Sequence, residues 1–198
     1  ISEAPKLGDF LNHSSKKFFE EVCSGLDDLN INYELNQNLV RGLDYYCHTA
    51  FEFTTNLLGS QGAVLAGGRY DGLVESMGGP ATPGVGWAAG IERLSMLAKE
   101  HKDNKNIIAV IPVGPDMEAQ AFILTNRLRR NGFCSDYGFR GNLSKRLKKA
   151  HQLEAWCAVI IGSEELSRGN VTVRNLDSGK QEEISMDNLE AYLSCTKS

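Results

Sequence analysis

The sequence contains no long apolar run, no paired cysteine motif and no internal repeat. No stretch approaches the roughly 20 consecutive apolar residues of a membrane-spanning helix, so a membrane protein is not expected. The five cysteines are scattered and lack Cys-x-x-Cys spacing, which argues against a disulfide framework and against a zinc or other metal site. Free thiols are typical of the cytoplasm, where we expect the protein to act.

The chain also has little net charge, −4 over 198 residues, which argues against indiscriminate nucleic-acid binding. Through Asp103 there are 8 basic and 14 acidic residues, whereas from Asn104 onward there are 13 basic and 11 acidic residues. The polar segment 101–106 lacks apolar residues and is typical of a linker. We therefore expect two domains, 1–101 and 107–198, joined by a linker at 102–106.

A first motif, Arg-Gly-Leu-Asp-Tyr-Tyr at 41–46, combines an arginine, an acid and two adjacent phenols. Residues 51–53 alternate as a strand after it, and an extended segment is expected before it, so the motif should lie between two strands. The extended segment is predicted from Tyr33, Leu35, Leu39 and Val40. The tetrapeptide Arg-Gly-Leu-Asp alone is most often a surface turn. The two tyrosines and the two later motifs strengthen the interpretation of this segment as a functional site.

A helix is predicted ahead of that segment, running to about Leu29. Its apolar residues can share one side and are expected to pack in the core, namely Phe10, Phe18, Phe19, Val22 and Leu26. His13 lies on the same segment and is expected at the surface or as a helix cap rather than as a ligand.

A second motif, Ala-Gly-Gly-Arg-Tyr-Asp-Gly-Leu at 66–73, follows the apolar stretch 63–65. Paired glycines after a strand permit close approaches that a Cβ would block, so a ligand could lie against the main chain at Gly67 and Gly68. Arg69 and Tyr70 would project beside that ligand. An equally good interpretation is a tight turn in which Arg69 merely pairs with Asp71.

A third motif, Pro-Gly-Val-Gly-Trp-Ala-Ala-Gly-Ile-Glu-Arg-Leu, occupies 83–94. Val85 and Trp87 alternate with small residues as in a strand, and the spacing from Ile91 onward predicts a helix. A strand-to-helix junction gathers backbone N–H groups and the positive end of the helix dipole, so with Arg93 beside it the junction favours phosphate or a nucleotide. The alternative is that Arg93 pairs with Glu92 or another surface acid.

The order of these three motifs resembles the histidyl-tRNA synthetase family, which belongs to the class II aminoacyl-tRNA synthetases. The third motif resembles class II motif 3, and beyond Ile107 the chain is similar to the family's anticodon-binding domain. The resemblance implies an α/β fold: part of an antiparallel-sheet catalytic domain, then a mixed-sheet α/β anticodon-binding domain. Motifs 1 and 2 are not visible and the chain opens at Ile1 without a methionine, so we expect a C-terminal half that is inactive alone.

The resemblance also implies residue roles. Arg41 matches the arginine that contacts the α-phosphate and the histidine carboxylate during catalysis, and Gly90 and Arg93 match the ATP site. The implied histidine pocket comprises Arg41, Tyr45, Tyr46, Gly67, Gly68 and Tyr70. ATP as substrate, Mg²⁺ as phosphate counter-ion without visible ligands, tRNA as partner and a homodimer at full length are implied as well. The chain departs from common family patterns at Cys47, His48 and Trp87.

Beyond the linker, strand and helix patterns alternate. Strands are predicted at 107–112, 133–137 and 157–161, helices at 116–130, 142–152 and 187–193, and a hairpin at 171–174 and 182–184 turned by 177–179. This order predicts an α/β domain with a mixed sheet.

The helix predicted from Asn142 carries the strongest nucleic-acid candidates. Lys145, Lys148 and Lys149 share one face and could follow a phosphate backbone, although a solvated helix face is the alternative. The whole basic run comprises Arg140, Lys145, Arg146, Lys148 and Lys149, of which we predict that Arg140 and the three lysines bind tRNA. Candidates for stacking on RNA bases are Phe133, Tyr137, Phe139, Arg140 and Arg168.

The expected activity of the full-length protein is ATP-dependent activation of histidine and transfer of the histidyl group to tRNA. Two other functions remain open. One is a non-catalytic synthetase-like regulatory subunit of histidine biosynthesis, and the other is an RNA-binding accessory module.

Overall fold

The computed structural model of the chain describes residues 6–59, 62–98 and 106–196. Backbone contacts divide the chain into two compact units, Ile1–His101 and Lys102–Ser198. The linker predicted at 102–106 lies outside the described residues except for its last position. No helix within these ranges combines the length and apolar character needed to cross a bilayer.

The first unit is built on a three-stranded antiparallel sheet in the order β1-β2-β3. Its long helix begins where the Asn12 side chain accepts a hydrogen bond from the Ser15 amide at 2.8 Å, a standard helix cap. The strands are β1 Cys47–Thr54, β2 Ala63–Arg69 and β3 Val85–Ala89. The helices are α1 His13–Asp28, α2 Leu73–Ser76 and α3 Ile91–Leu97, and a 3-10 turn Leu7–Phe10 precedes α1. The helix predicted to about Leu29 and the strand-to-helix junction before Ile91 are confirmed.

Three predictions for the first unit are wrong, two of them in the segment ahead of β1. No strand precedes the 41–46 motif within the described part of the chain, where residues 31–46 pair with no strand of the β1-β2-β3 sheet. Leu35 and Val40 in that segment are instead exposed. The predicted core position of Phe10 also fails, since 73% of the residue is exposed. The other apolar residues of α1 are half-buried, and His13 is exposed.

The paired glycines lie inside β2 rather than after it, which corrects the second-motif prediction. A Cβ on Gly67 would come within 2.8 Å of both the Phe51 and Trp87 side chains, and one on Gly68 would come within 2.8 Å of the Tyr46 ring. The space that each missing side chain leaves is therefore filled by the protein's own atoms. The glycines allow Tyr46 to pack directly on the strand.

The second unit contains a five-stranded mixed sheet in the order β5-β4-β6-β7-β8; its mixed character is confirmed, whereas its strand order was not predicted. β4 runs parallel to β5 and β6, and the hairpin β7–β8 adds antiparallel strands. The strands are β4 Ile108–Pro112, β5 Ser135–Tyr137, β6 Cys157–Ile161, β7 Asn170–Asn175 and β8 Gln181–Ser185. The helices are α4 Glu118–Arg130, α5 Leu143–Gln152, α6 Ser163–Ser167 and α7 Leu189–Cys195. The short helices α2 and α6 were not predicted from the sequence.

The second unit has a hydrophobic core on each face of its sheet. Ile108 and Val110 of β4 pack with α4 and α7, whereas Ala109 and Ile111 point to the opposite face and pack with α5. This alternation follows from the two-residue period of a strand. Every fully buried apolar side chain among the described residues belongs to this unit. The second unit therefore has more of the buried apolar surface that stabilises a fold than the first unit has.

Candidate active site and RNA-binding surface

Three tyrosines from the first two motifs come together in the first unit. The Tyr45 ring centroid lies 5.0 Å from that of Tyr46 and 6.0 Å from that of Tyr70, both in edge-to-face geometry. We call these three residues the phenol cluster. Desolvation, and then the neighbouring Tyr46, raises the pKa of the Tyr45 hydroxyl. Tyr45 therefore stays protonated at neutral pH and keeps its hydrogen-bond donor.

The start of β3 holds the Tyr70 end of the phenol cluster. The Tyr70 amide donates to the Gly84 carbonyl at 2.8 Å, and the Gly84 amide donates to the Asp71 carboxylate at 3.1 Å. Arg69 Nε lies 2.7 Å from Asp71 Oδ2, so the turn considered as an alternative, in which Arg69 pairs with Asp71, is present. Arg69 is the main cause that lowers the pKa of Asp71. The Arg69–Asp71 pair and the phenol cluster are thus compatible, because the pair lies on either side of Tyr70 in the chain.

Arg41 is placed beside β1 by a long ion pair. Its Nη1 atom lies 3.7 Å from Glu52 Oε1, and both side chains are partly accessible. Glu52 was not identified from the sequence, because an acid between Phe51 and Phe53 is what the ordinary alternation of a strand places there. A pair at this distance, open to solvent, contributes little stability and leaves the guanidinium able to take another anion.

Arg93 lies against the start of β2. Its Nη1 atom donates to the Ala63 carbonyl at 2.5 Å, so its partner is backbone rather than Glu92 or another acid. The Gly90 amide donates to the Val64 carbonyl at 3.0 Å and ties the start of α3 to the same strand. Six residue steps separate Ala63 from Arg69, about 20 Å at about 3.4 Å per residue. The phenol cluster and Arg93 therefore mark opposite ends of β2.

In the second unit, the basic run of the sequence divides between the surface and the interior. Lys145, Lys148 and Lys149 are exposed on α5, which the Asn142 side chain caps. Lys149 Nζ lies 3.3 Å from Asp136, so the run is partly neutralised by an acid distant in sequence. Arg146 points inward, with 6% of its side chain exposed.

Arg146 belongs to a network at the ends of β4 and β5. It donates to the Pro112 carbonyl at 2.7 Å and to the Glu118 carboxylate, which also accepts from the Tyr137 hydroxyl. The hydrogen bond from Tyr137 and then that from Arg146 lower the pKa of Glu118. Desolvation, followed by Glu118, raises the pKa of Tyr137 to about 12. We interpret this network as structural, because its members hydrogen-bond one another, although Arg146 Nε is buried without a partner.

Aromatic rings extend from this network to the surface. The Tyr137 ring lies 5.6 Å from that of Phe122 and 6.2 Å from that of Phe139, and the Arg140 guanidinium lies 5.3 Å from the Phe139 ring centroid. We call Phe122, Tyr137 and Phe139 the aromatic ladder. Phe139 is 63% exposed and Phe122 is 46% exposed. Phe122 was missed from the sequence because α4 brings it to Tyr137 only in the folded chain.

Two of the predicted base-stacking residues lie elsewhere. Phe133 packs against the core on the α4 and α7 face of the sheet. Arg168 pairs at 2.9 Å with Glu183 of β8, the edge strand opposite to β5. Neither residue joins the aromatic ladder.

Comparison with known proteins matches both units. A family model described as histidyl-tRNA synthetase matches residues 9–94, and one described as anticodon binding domain matches residues 108–196. A histidine–tRNA ligase from Rhodospirillum rubrum is 53% identical over 194 residues, which are 98% of this chain and 47% of that protein. The chain belongs to the histidyl-tRNA synthetase family.

Other members of the histidyl-tRNA synthetase family give the same result. The histidine–tRNA ligase of Wolbachia pipientis is 48% identical over 188 residues, 95% of this chain and 46% of that protein. The apo histidyl-tRNA synthetase of S. aureus is 38% identical with a TM-score of 0.45, covering 96% of this chain and 51% of that one. The chain thus spans about half the length of the relatives it matches.

Proposed function

We propose that the chain is the C-terminal half of a histidine–tRNA ligase. In the first step a histidine carboxylate oxygen attacks the α-phosphorus of ATP, a P–O bond breaks and pyrophosphate leaves. In the second step a hydroxyl of the terminal tRNA ribose attacks the acyl carbon, and AMP leaves. The observation that carries the proposal is the phenol cluster, because it joins the 41–46 and 66–73 motifs into one site in a chain of this family.

The phenol cluster is the proposed histidine pocket. Phenol hydroxyls both donate and accept hydrogen bonds, which suits an imidazole with one donor and one acceptor nitrogen. A pocket that bonds a ring N–H rejects amino acids without one, since its polar groups would be left without partners. Gly67 and Gly68 contribute by letting Tyr46 lie against β2.

The nucleotide is proposed to extend along β2 from the phenol cluster toward Gly90 and Arg93. Displacement at phosphorus is accelerated chiefly by positioning and by positive charge aimed at the phosphate oxygens. Arg41 supplies such a charge, because its 3.7 Å pair with Glu52 can be exchanged for a phosphate at small cost. Arg93 is held at the far end of the strand by the Ala63 carbonyl.

Mg²⁺ is the phosphate counter-ion that the family implies, but the described residues do not fit it. Their one group of three candidate metal ligands contains a thiol and an imidazole, whereas Mg²⁺ selects oxygen ligands. No step is therefore assigned to Mg²⁺ on these residues.

The full-length protein is proposed to be a homodimer, as in the implied family pattern. Cytoplasmic action is supported by five cysteines without a disulfide.

The second unit is proposed to bind tRNA through α5 and the aromatic ladder. Lysines on one helix face can contact successive phosphates, while exposed rings stack on single-stranded bases. Phe139 with Arg140 over its ring offers such a stacking plane next to the start of α5. The match to an anticodon-binding domain over 108–196 favours a ligase over a regulatory subunit of histidine biosynthesis.

Substitutions in the full-length protein test the ligase proposal. Arg41→Ala should lower the rate of histidine-dependent pyrophosphate exchange by about 10² or more, as comparable losses of transition-state charge stabilisation do. Tyr46→Phe should weaken histidine binding by about 1–3 kcal/mol and leave ATP binding unchanged. Tyr192→Phe, which removes a phenol hydroxyl in the second unit, is the matched control.

Three outcomes would count against this assignment. Exchange near the wild-type rate in Arg41→Ala would remove that residue from catalysis. Equal loss of histidine and ATP affinity in Tyr46→Phe would indicate a folding defect. Histidine binding without any exchange in the unmodified full-length protein would favour the regulatory subunit, and tRNA binding without histidine binding would favour the accessory module.

A further inference from the structure

Three potential metal ligands lie next to the phenol cluster. They are the Cys47 thiol, the His48 imidazole and the Asp71 carboxylate, and their ligand atoms all lie within 4.8 Å of one another. We propose that Cys47, His48 and Asp71 bind a Zn²⁺ ion. The proposal does not depend on the ligase activity, because it concerns residues outside the proposed histidine and ATP contacts.

An irregularity in β1 brings the Cys47 and His48 side chains together. Successive residues of a regular strand point to opposite faces, so adjacent residues would not share a site. The pairing of β1 with β2 shifts register between Cys47 and Ala50, and His48 has φ 57°, in the left-handed region that non-glycine residues seldom adopt. Such bulges re-aim side chains and are concentrated at functional sites.

The β1–β2 pairing then supplies the third ligand. Cys47 pairs with Arg69, and Asp71 follows two residues later. The Asp71 amide donates to Cys47 Sγ at 3.3 Å, which holds the sulfur beside Asp71. One carboxylate oxygen of Asp71 accepts from Gly84 and the other from Arg69, which leaves lone pairs on both oxygens for a metal.

The donor set selects the type of metal. A soft thiolate together with imidazole and carboxylate suits Zn²⁺, whereas Mg²⁺ and Ca²⁺ prefer oxygen alone. Three protein ligands leave a fourth tetrahedral position for water or another ligand. The Phe18 ring, whose centroid lies 5.2 Å from the His48 ring, forms an apolar wall beside the site. Arg69 opposes the metal charge at 2.7 Å from Asp71, which limits the affinity.

Occupancy of this site would be transmitted to the phenol cluster through adjacent residues. Cys47 follows Tyr46 directly, and Asp71 follows Tyr70. A Zn²⁺ ion that drew Asp71 away from Arg69 and Gly84 would break the two hydrogen bonds of Asp71, including the one to Gly84, whose carbonyl accepts from the Tyr70 amide.

Cobalt binding by the 198-residue chain under reducing conditions tests the proposal. Co²⁺ should produce a thiolate-to-cobalt charge-transfer absorption band that Zn²⁺ abolishes by displacement. Cys47→Ser and His48→Asn should each weaken binding at least about tenfold, since even an outer partner of a metal ligand typically contributes that much. Asparagine is chosen at position 48 because it tolerates the left-handed backbone. Cys134→Ser and His13→Asn are controls at exposed positions.

A second measurement requires no substitution. One equivalent of Zn²⁺ should protect the Cys47 thiol from alkylation, as identified by peptide mass, and leave the exposed Cys134 and Cys195 reactive. Absence of the cobalt band, a cobalt affinity unchanged by Cys47→Ser or His48→Asn, or equal alkylation of Cys47 with and without Zn²⁺ would each overturn the site.

Discussion

Replacing Arg146 with methionine is expected to destabilise the second unit while leaving the exposed lysines of α5 in place. Arg146 lies within a basic run, yet only 6% of its side chain is exposed. It donates to the Pro112 carbonyl at 2.7 Å and to Glu118. Methionine keeps the unbranched stem and removes the charge and both hydrogen bonds, so the substitution isolates the polar contribution.

The magnitude follows from the two partners. A buried carbonyl such as that of Pro112, left without its donor, costs about 1–3 kcal/mol. The pair with Glu118 adds about 0–1 kcal/mol, because 38% of the Glu118 side chain is exposed and solvent screens the interaction. We therefore expect the free energy of unfolding to fall by about 1–4 kcal/mol. For a unit of this size, each kcal/mol lowers Tm by about 4–8 °C.

Urea unfolding followed by Trp156 fluorescence measures this change. The chain has two tryptophans, so a Trp87→Phe background confines the signal to the second unit. Lys148→Met on the exposed face of the same helix is the matched control, and its effect should stay within about 0.5 kcal/mol. If Arg146→Met were no more destabilising than this control, the structural role of Arg146 would be refuted.

The pH dependence gives an independent check. Tyr137 and then Arg146 hold the pKa of Glu118 below its ordinary value of 4.5. A carboxyl with a lowered pKa stabilises the fold above its unfolded pKa, and that stability is lost as the pH falls through the folded pKa. Arg146→Met removes one cause of the shift, so the variant should lose less stability on acidification below about pH 4.5. An identical acid dependence would contradict the Arg146–Glu118 interaction.

Three further predictions concern other parts of the chain. Reversal of the three α5 lysines to glutamate should weaken tRNA binding and flatten its salt dependence by about 0.9 per lost phosphate contact, by analogy with DNA; unchanged affinity in a low-salt filter-binding assay would remove this helix from the RNA surface. Limited proteolysis should leave residues 106–196 longest, because they contain the buried core, and earlier cleavage there than in the first unit would oppose this view. Burial raises the pKa of the Cys157 thiol to about 12, so at pH 8 it should resist alkylation while Cys134 and Cys195 react, as peptide mapping would show.

Local patterns predicted most of the second unit. The strand at 157–161 agrees at both ends with β6, and the helix predicted at 142–152 differs from α5 only in its cap residue. Such elements are encoded locally, by continuous apolar runs, helical periodicity and a capping asparagine. The short helix α6 was missed because five residues give too few turns for a periodic pattern.

Prediction was weaker in the first unit, where elements depend on distant neighbours. The extended residues before the 41–46 motif have strand-like composition, but no strand forms there among the described residues. Composition cannot show whether a pairing partner exists. For the same reason the paired glycines were placed after β2 rather than within it. Their role depends on where Tyr46 packs, which is set by the β1–β2 register.

Reading the residues in order was enough to recognise the family, the three motifs, the mixed α/β class of the second unit and the phenols and arginines proposed for the active site. Motifs can do this because they place fixed residue types at short spacings along the chain. The folded chain was needed to show that Arg146 points inward, that Phe122 contacts Tyr137, and that Asp71 lies beside Cys47. Cys47 and Asp71 are 24 positions apart. Contacts between residues this distant in sequence depend on strand register and helix placement, which no local pattern records.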